Sequence, residues 1–426
     1  MGIKKNQRQI ERHHQIAIKD ELRPKNHTYS LPVIQFALSL VISVGISFRA
    51  VSKLFVEMNL YLSINLGTPT HTTILNWTKK QGVGNFREKD FFDKGEWVLI
   101  VDESIQFGNR KLLFVAVVPS NFSFAKGYIS YNDLVPLVIK ASTSWKSEAI
   151  ADEISKRISL DRIAYAVCDN GNNLVKTFHH LNIAHVEDIN HKFSWIMQQM
   201  LESDPKFTFY TKTLAGMRKR LTLSKSARIV PPNQRVVSRY MNLKPLFEWG
   251  VKMLALLQTD SLTEEEIQEL NFLHGCKDFV MEIYELIIVL NQIQQQMKNS
   301  GFTSENVLAA TGRLNSLQSD YALKAGQMIK EYFQDTQSKA QEYESVLCSS
   351  DIMESCFSKY KDITKANKTV GISDLSLCLS AMLGKSSKEM KHNFERIKTK
   401  QVKEWKIENI GRTLFADKKD LMKKAG

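Results

Sequence analysis

Two apolar runs constrain this chain more than anything else in it: VLIV at residues 98–101 and LLFVAVV at 112–118. They are rich in β-branched residues and too short for solvent-facing helices, so they predict buried strands. The first run leads straight into Asp102-Glu103. Two acids at the end of a buried strand are costly if they sit dry and unpaired. They are sensible if the strand delivers a carboxylate to a metal.

The pattern around these runs gives the order of a sheet. Strands are predicted over residues 96–102, 111–118 (after a turn at Gly108-Asn109) and 134–141. Helical periodicity follows over 145–158, then a fourth strand over 162–168, a helix to about residue 180, and a short fifth strand over 183–186. Three strands, helix, strand, helix, strand is the order of a ribonuclease H-like fold. From residue 190 to 347 strand signals nearly vanish, and long helical stretches are expected over 263–299 and 304–344.

Ahead of the sheet, three helices are expected between residues 31 and 84. The first covers 32–44 and stops at Gly45. The second has Ser47 as N-cap, with Ala50, Val51, Leu54 and Phe55 at helical spacing. The third has Ile74, Trp77 and Thr78 facing inward and ends at Gly82. This is a helix-turn-helix layout, with Thr70, His71 and Thr72 opening the recognition helix and Lys79 and Lys80 near its end. The run LPVIQFALSLVISVGISF is interrupted by polar residues and reads as a helix and turn, with no membrane span.

Charge points to a polyanion. The chain carries a net charge of +13. Residues 206–245 contain no Asp or Glu, but hold Arg218, Lys219, Arg220, Arg235 and Arg239 with interleaved tyrosines. A solvated face usually mixes signs, so this stretch is read as a surface that tracks phosphates. The five cysteines have no CxxC spacing and read as reduced, buried thiols.

Three acids are candidates for chemistry. Asp102 ends the first strand, and Asp169 follows the fourth in AYAVCDNGNN. In a ribonuclease H-like sheet those strands are neighbours, so the carboxylates would face one another. Two close carboxylates resist joint ionisation unless a cation neutralises them. Hard oxygen ligands favour Mg²⁺, with Mn²⁺ as substitute, and two such ions suit phosphodiester displacement. The third ligand is expected to be Glu354, which shares a helix face with Ser358 and Lys361. Asp188 and His191 follow the fifth strand and are candidates to support the site or cap a helix. Trp195 and Trp249 are read as core residues.

With VDES, CDNG and DIMESCFSKYK in that order, after SFRAVSKLF and PTHTTILNW, the chain resembles the DDE transposases of bacterial insertion sequences. Some of these carry an insertion between the second aspartate and the glutamate, as residues 190–347 would. Lys361 matches a lysine that a cut-and-paste subgroup places seven residues after the glutamate; Leu347 and Ser350 stand where that subgroup has Tyr and Arg. The resemblance implies Mg²⁺-dependent cleavage at transposon ends with two ions per active site. Strand transfer of the 3′-OH ends into target DNA follows. It also implies double-stranded DNA as partner, at least a dimer on DNA, and a cytoplasmic, nucleoid-associated bacterial protein. The division expected is an arm at 1–28, a helix-turn-helix domain at 29–90, the two parts of the core at 91–189 and 348–412, a basic helical insertion at 190–347 and a tail at 413–426. Two other readings stand beside it: a catalytically decayed DNA-binding protein, and a ribonuclease H-fold nuclease without strand transfer.

Overall fold

A computed structural model describes residues 23–107, 110–124, 127–235, 239–364, 371–384 and 387–425. Most of the basic arm, and the turn expected at Gly108-Asn109, lie outside the described residues. Five strands form one mixed sheet in the order β3-β2-β1-β4-β5. They are β1 (Trp97–Phe107), β2 (Arg110–Pro119), β3 (Val135–Ser142), β4 (Ile163–Cys168) and β5 (His185–Glu187). The first three pair antiparallel, whereas β1, β4 and β5 run parallel. β1 does not end at Asp102; it runs on to Phe107, with a register shift between Asp102 and Ile105. Asp102 thus lies in mid-strand, opposite Phe114, beside an irregularity of the kind that re-aims side chains.

Three helices precede the sheet: α1 (Leu31–Ile42), α2 (Phe48–Tyr61) and α3 (His71–Asn85). Ser47 caps α2 and Thr70 caps α3, each accepting a backbone N–H three residues on. Residues 62–70 join α2 to α3, a longer link than the turn of about three or four residues in a compact helix-turn-helix. Asn59 ties that link down, accepting from the Leu66 N–H at 3.0 Å and donating to the Gly67 carbonyl at 2.9 Å. Ile74, Trp77 and Thr78 are buried.

Gly82 does not end α3. The helix continues through Gly82 and Gly84 because each makes room for a neighbour: a Cβ at Gly82 would strike the Leu377 carbonyl, and one at Gly84 would meet Asn393 Cγ at 2.5 Å. A buried amide network completes the join, with Asn85 Nδ2 donating to the carbonyls of Ser380 at 2.8 Å and Leu383 at 2.6 Å.

Alternation along the strands sorts the core into two faces. Leu99, Val101, Ala166 and Cys168 face α4 (Ser147–Ser155) and α5 (Asn172–Leu181). Val98, Ile100, Phe114, Tyr165 and Val167 face the opposite layer, where the later helices lie.

After β5 come α6 (Ile189–Leu201), α7 (Pro205–Leu221), α8 (Lys244–Leu256), α9 (Glu264–Leu270), α10 (Phe272–Ser300), α11 (Ser304–Asn315) and α12 (Asp320–Lys339). The two long stretches expected there are thus four helices. The chain then returns to the sheet: the Leu347 N–H donates to Tyr165 Oη at 2.8 Å, and the Ile189 N–H to the Cys348 carbonyl at 2.9 Å. These bonds deliver α13 (Asp351–Thr364) onto the face that carries Asp102. α14 (Leu377–Met382), α15 (Ser387–Arg396), α16 (Thr399–Asn409) and α17 (Leu414–Ala425) follow, so the stretch read as a tail is helical. No helix among the described residues is long and apolar enough to cross a membrane.

Candidate active site

Strand register brings the two aspartates together. β1 and β4 pair with Leu99 opposite Ala166 and Ile100 opposite Val167. Two residues beyond that last pair stand Asp102 and Asp169. Each shares its strand parity with the face covered by α13. Cys168 opposes Glu187 on β5, and Asp188 follows. The place where the parallel pairing of these strands runs out, the side on which open α/β sheets hold ligands, is therefore acidic. Cys168, buried among Asp169, Asp188, Asp102 and Glu187, shows the consequence: burial first, then these four carboxylates, push its thiol well up.

α13 brings Glu354 to this edge. Met353, Cys356, Phe357 and Tyr360 are buried, and Phe357 packs edge-on against Phe114 with ring centroids 5.7 Å apart. Each large apolar side chain buried this way stabilises the docked helix by roughly 1.5–3 kcal/mol. The opposite face leaves Glu354 and Lys361 exposed. Glu354 Oε1 lies 3.2 Å from His191 Nε2 on α6. The hydrogen bond to Glu354 pushes the imidazole up to about 9, against the cost of burial, and Asp188 and Asp169 add to the effect. Glu354 is lowered in turn, chiefly by His191, with Lys298 and Lys361 contributing. These influences favour the protonated ring of His191.

Asp188 is wholly buried and caps α6. Its Oδ1 accepts the N–H groups of Asn190 at 2.8 Å and His191 at 3.0 Å. Its Oδ2 accepts the Ser350 N–H at 2.6 Å and hydroxyl at 3.0 Å. One carboxylate therefore joins the α6 start, which holds His191, to the α13 start, which holds Glu354. Asp351 adds a second tie, pairing with Lys298 of α10 and accepting from Asn190 Nδ2.

This arrangement overturns one expectation. Asp102, Asp169 and Glu354 were expected to hold two Mg²⁺ ions, or Mn²⁺ in their place. Among the described residues, no group of three or more His, Cys, Asp or Glu side chains could hold a metal ion. Glu354 Oε1 is instead partnered by a side chain, His191 Nε2 at 3.2 Å.

The basic residues fall into several environments. Thr70 spends its hydroxyl capping α3, His71 is half-buried and Thr72 is exposed. Lys79 pairs with Asp374 at 2.8 Å, and half-buried Lys80 is lowered by burial. Arg218 donates to the Pro231 carbonyl at 2.6 Å, and Arg220 pairs with Glu269 at 2.6 Å. Lys219 and Arg235 are exposed. Arg239 lies 4.9 Å from the centroid of the Phe207 ring. The stretch without acids meets them in space, because α9 supplies Glu269 and the buried Glu266 that pairs with Arg228.

Trp249 is buried, whereas Trp195 is not a core residue: it is 43% exposed, one helical turn from His191, with Lys192 Nζ 4.5 Å from its ring centroid. Sequence reasoning did not single out Asn190, Lys298 or Tyr131, whose hydroxyl lies 2.5 Å from Ser355 Oγ beside Glu354. Only Asn190, adjacent to His191, carried any signal. A scan against protein-family models gave no match, and a search of curated proteins gave none either.

Proposed function

We propose that this chain is a DNA transposase of the DDE type on a ribonuclease H-like core. In this reading it cleaves at the ends of a mobile element and transfers the freed 3′-OH ends into target DNA. What supports it is the register that sets Asp102 and Asp169 two residues beyond the last β1–β4 pair, with α13, which bears Glu354, packed on that face of a sheet ordered β3-β2-β1-β4-β5. The basic balance and the motif order VDES, CDNG, DIMES support it.

The chemistry proposed is in-line displacement at phosphorus. A carboxylate, Asp169 in this reading, accepts a proton from the attacking water or 3′-OH. The His191 imidazolium stands ready to offset charge on the phosphoryl oxygens and to protonate the departing oxygen, oriented by Glu354. Lys361, exposed on the Glu354 face, would bind a neighbouring phosphate. Exposed Lys219 and Arg235, with the open first turn of α3, would contact duplex DNA as the protein acts as a dimer or larger assembly in the bacterial cytoplasm.

A second reading keeps DNA binding and drops catalysis. It is favoured by the lack of a metal-holding group among the described residues and by the engagement of Glu354 with His191. Incubation with end-labelled DNA carrying the element's termini, with and without a target plasmid, separates the readings. Cleaved and joined products support the transposase, cleavage without joining a nuclease, and a shifted but intact DNA the binding protein.

A further inference from the structure

Between α6, the turn Arg239–Asn242, α10 and the start of α13 lies a cavity of about 240 Å³. Phe193, Met197, Leu243 and Leu290 give it an apolar part of its lining. Along α10, one turn apart, Asn291 and Gln294 present amides that can both donate and accept. Lys244 and Lys298 also line it, with Asn190 and Asp351. Lys244 is exposed, within electrostatic reach of Glu248 one turn along α8.

We infer that this cavity binds a single nucleoside 5′-phosphate. Apolar lining from Phe193, Met197, Leu243 and Leu290 suits the face of a base, and paired side-chain amides suit its hydrogen-bonding edge. Lys244 is the exposed point charge for the phosphate. Lys298 is shared: it is paired with Asp351, which also accepts from Asn190. An anion drawn to Lys298 would compete with Asp351, whose helix carries Glu354 one turn further on. The occupied cavity would in this way reach the His191–Glu354 pair. The nucleotide could be free in solution or the unpaired terminal residue of a DNA strand, and the chemistry of recognition is the same.

The inference stands on the cavity and does not need the proposed reaction. Equilibrium dialysis of the full chain with radiolabelled adenosine 5′-phosphate, and separately with a 5′-phosphorylated trinucleotide, tests it. Saturable binding of the first marks a free ligand; binding of the trinucleotide alone marks a strand end. In either case the double variant Asn291→Ala/Gln294→Ala should bind about tenfold more weakly through lost hydrogen bonds. Lys244→Ala should abolish the preference for adenosine 5′-phosphate over adenosine. No saturable binding of either probe, or binding that both variants leave unchanged, overturns the inference. Failure to cleave DNA with nucleotide binding intact would count against the proposed function alone.

Discussion

His191 Nε2 and Glu354 Oε1 lie 3.2 Å apart, although 163 positions separate them in the chain. The pair closes the gap between the helix that leaves the sheet after β5 and the helix that returns to it. It also bears on the charge of the site, since the contact with Glu354 raises the imidazole's affinity for a proton.

That pair should be visible in pH dependence. The folded imidazole sits near 9 against 6.5 for the free side chain, so its stabilising contribution is complete below about 6.5 and is lost as pH rises through about 9. NMR titration of the His191 ring should give a midpoint near 9, and Glu354→Gln should bring it down by more than a unit. A wild-type midpoint near 6.5 would show that the pair does not form.

Asp188 should matter more to stability than any acid nearer the surface. Its four accepted hydrogen bonds come from two helix starts, and it is fully buried. Asp188→Ala strands those donors and should cost about 3 kcal/mol in urea unfolding. A loss under about 0.5 kcal/mol, the range of an ordinary surface substitution, would mean the two helices are joined by other means.

Gly82→Ala tests the close approach of α3 and α14. Alanine normally stabilises a helix by about 1 kcal/mol over glycine. Here the added Cβ meets the Leu377 carbonyl, so the sign should reverse, with a loss of about 1–3 kcal/mol from overpacking. A stabilised variant would place α14 further from α3.

Salt dependence of DNA binding should separate the basic residues. Lys219→Ala and Arg235→Ala, at exposed positions, should each lower the slope of log affinity against log salt by about 0.9. Arg220→Ala should change it less, because Glu269 already engages that side chain. Equal effects from all three would show that the Glu269 pair opens on DNA.

The strands were legible because the apolar runs at 98–101, 112–118 and 163–168 alternate into two buried faces and leave few other options. That β1 and β4 are neighbours in the sheet followed from the pattern of connections. What a linear reading missed were contacts between distant segments. The continuation of α3 through Gly82 depends on Leu377, nearly 300 positions away, so the glycine looked like a stop. The run 206–245 looked uniformly basic because its acids, Glu266 and Glu269, come from a later helix. The partner of Glu354 is His191, which is near it only in the fold.

The most direct measurement of the central claim compares wild type with Asp102→Asn, Asp169→Asn and Glu354→Gln on labelled DNA carrying the element's ends. Binding and 3′-end cleavage are read in the same samples. The account predicts cleavage by the wild type and a loss of at least about a hundredfold in each variant, with DNA affinity nearly unchanged. Cleavage that persists at the wild-type rate in Asp169→Asn or Glu354→Gln would contradict it.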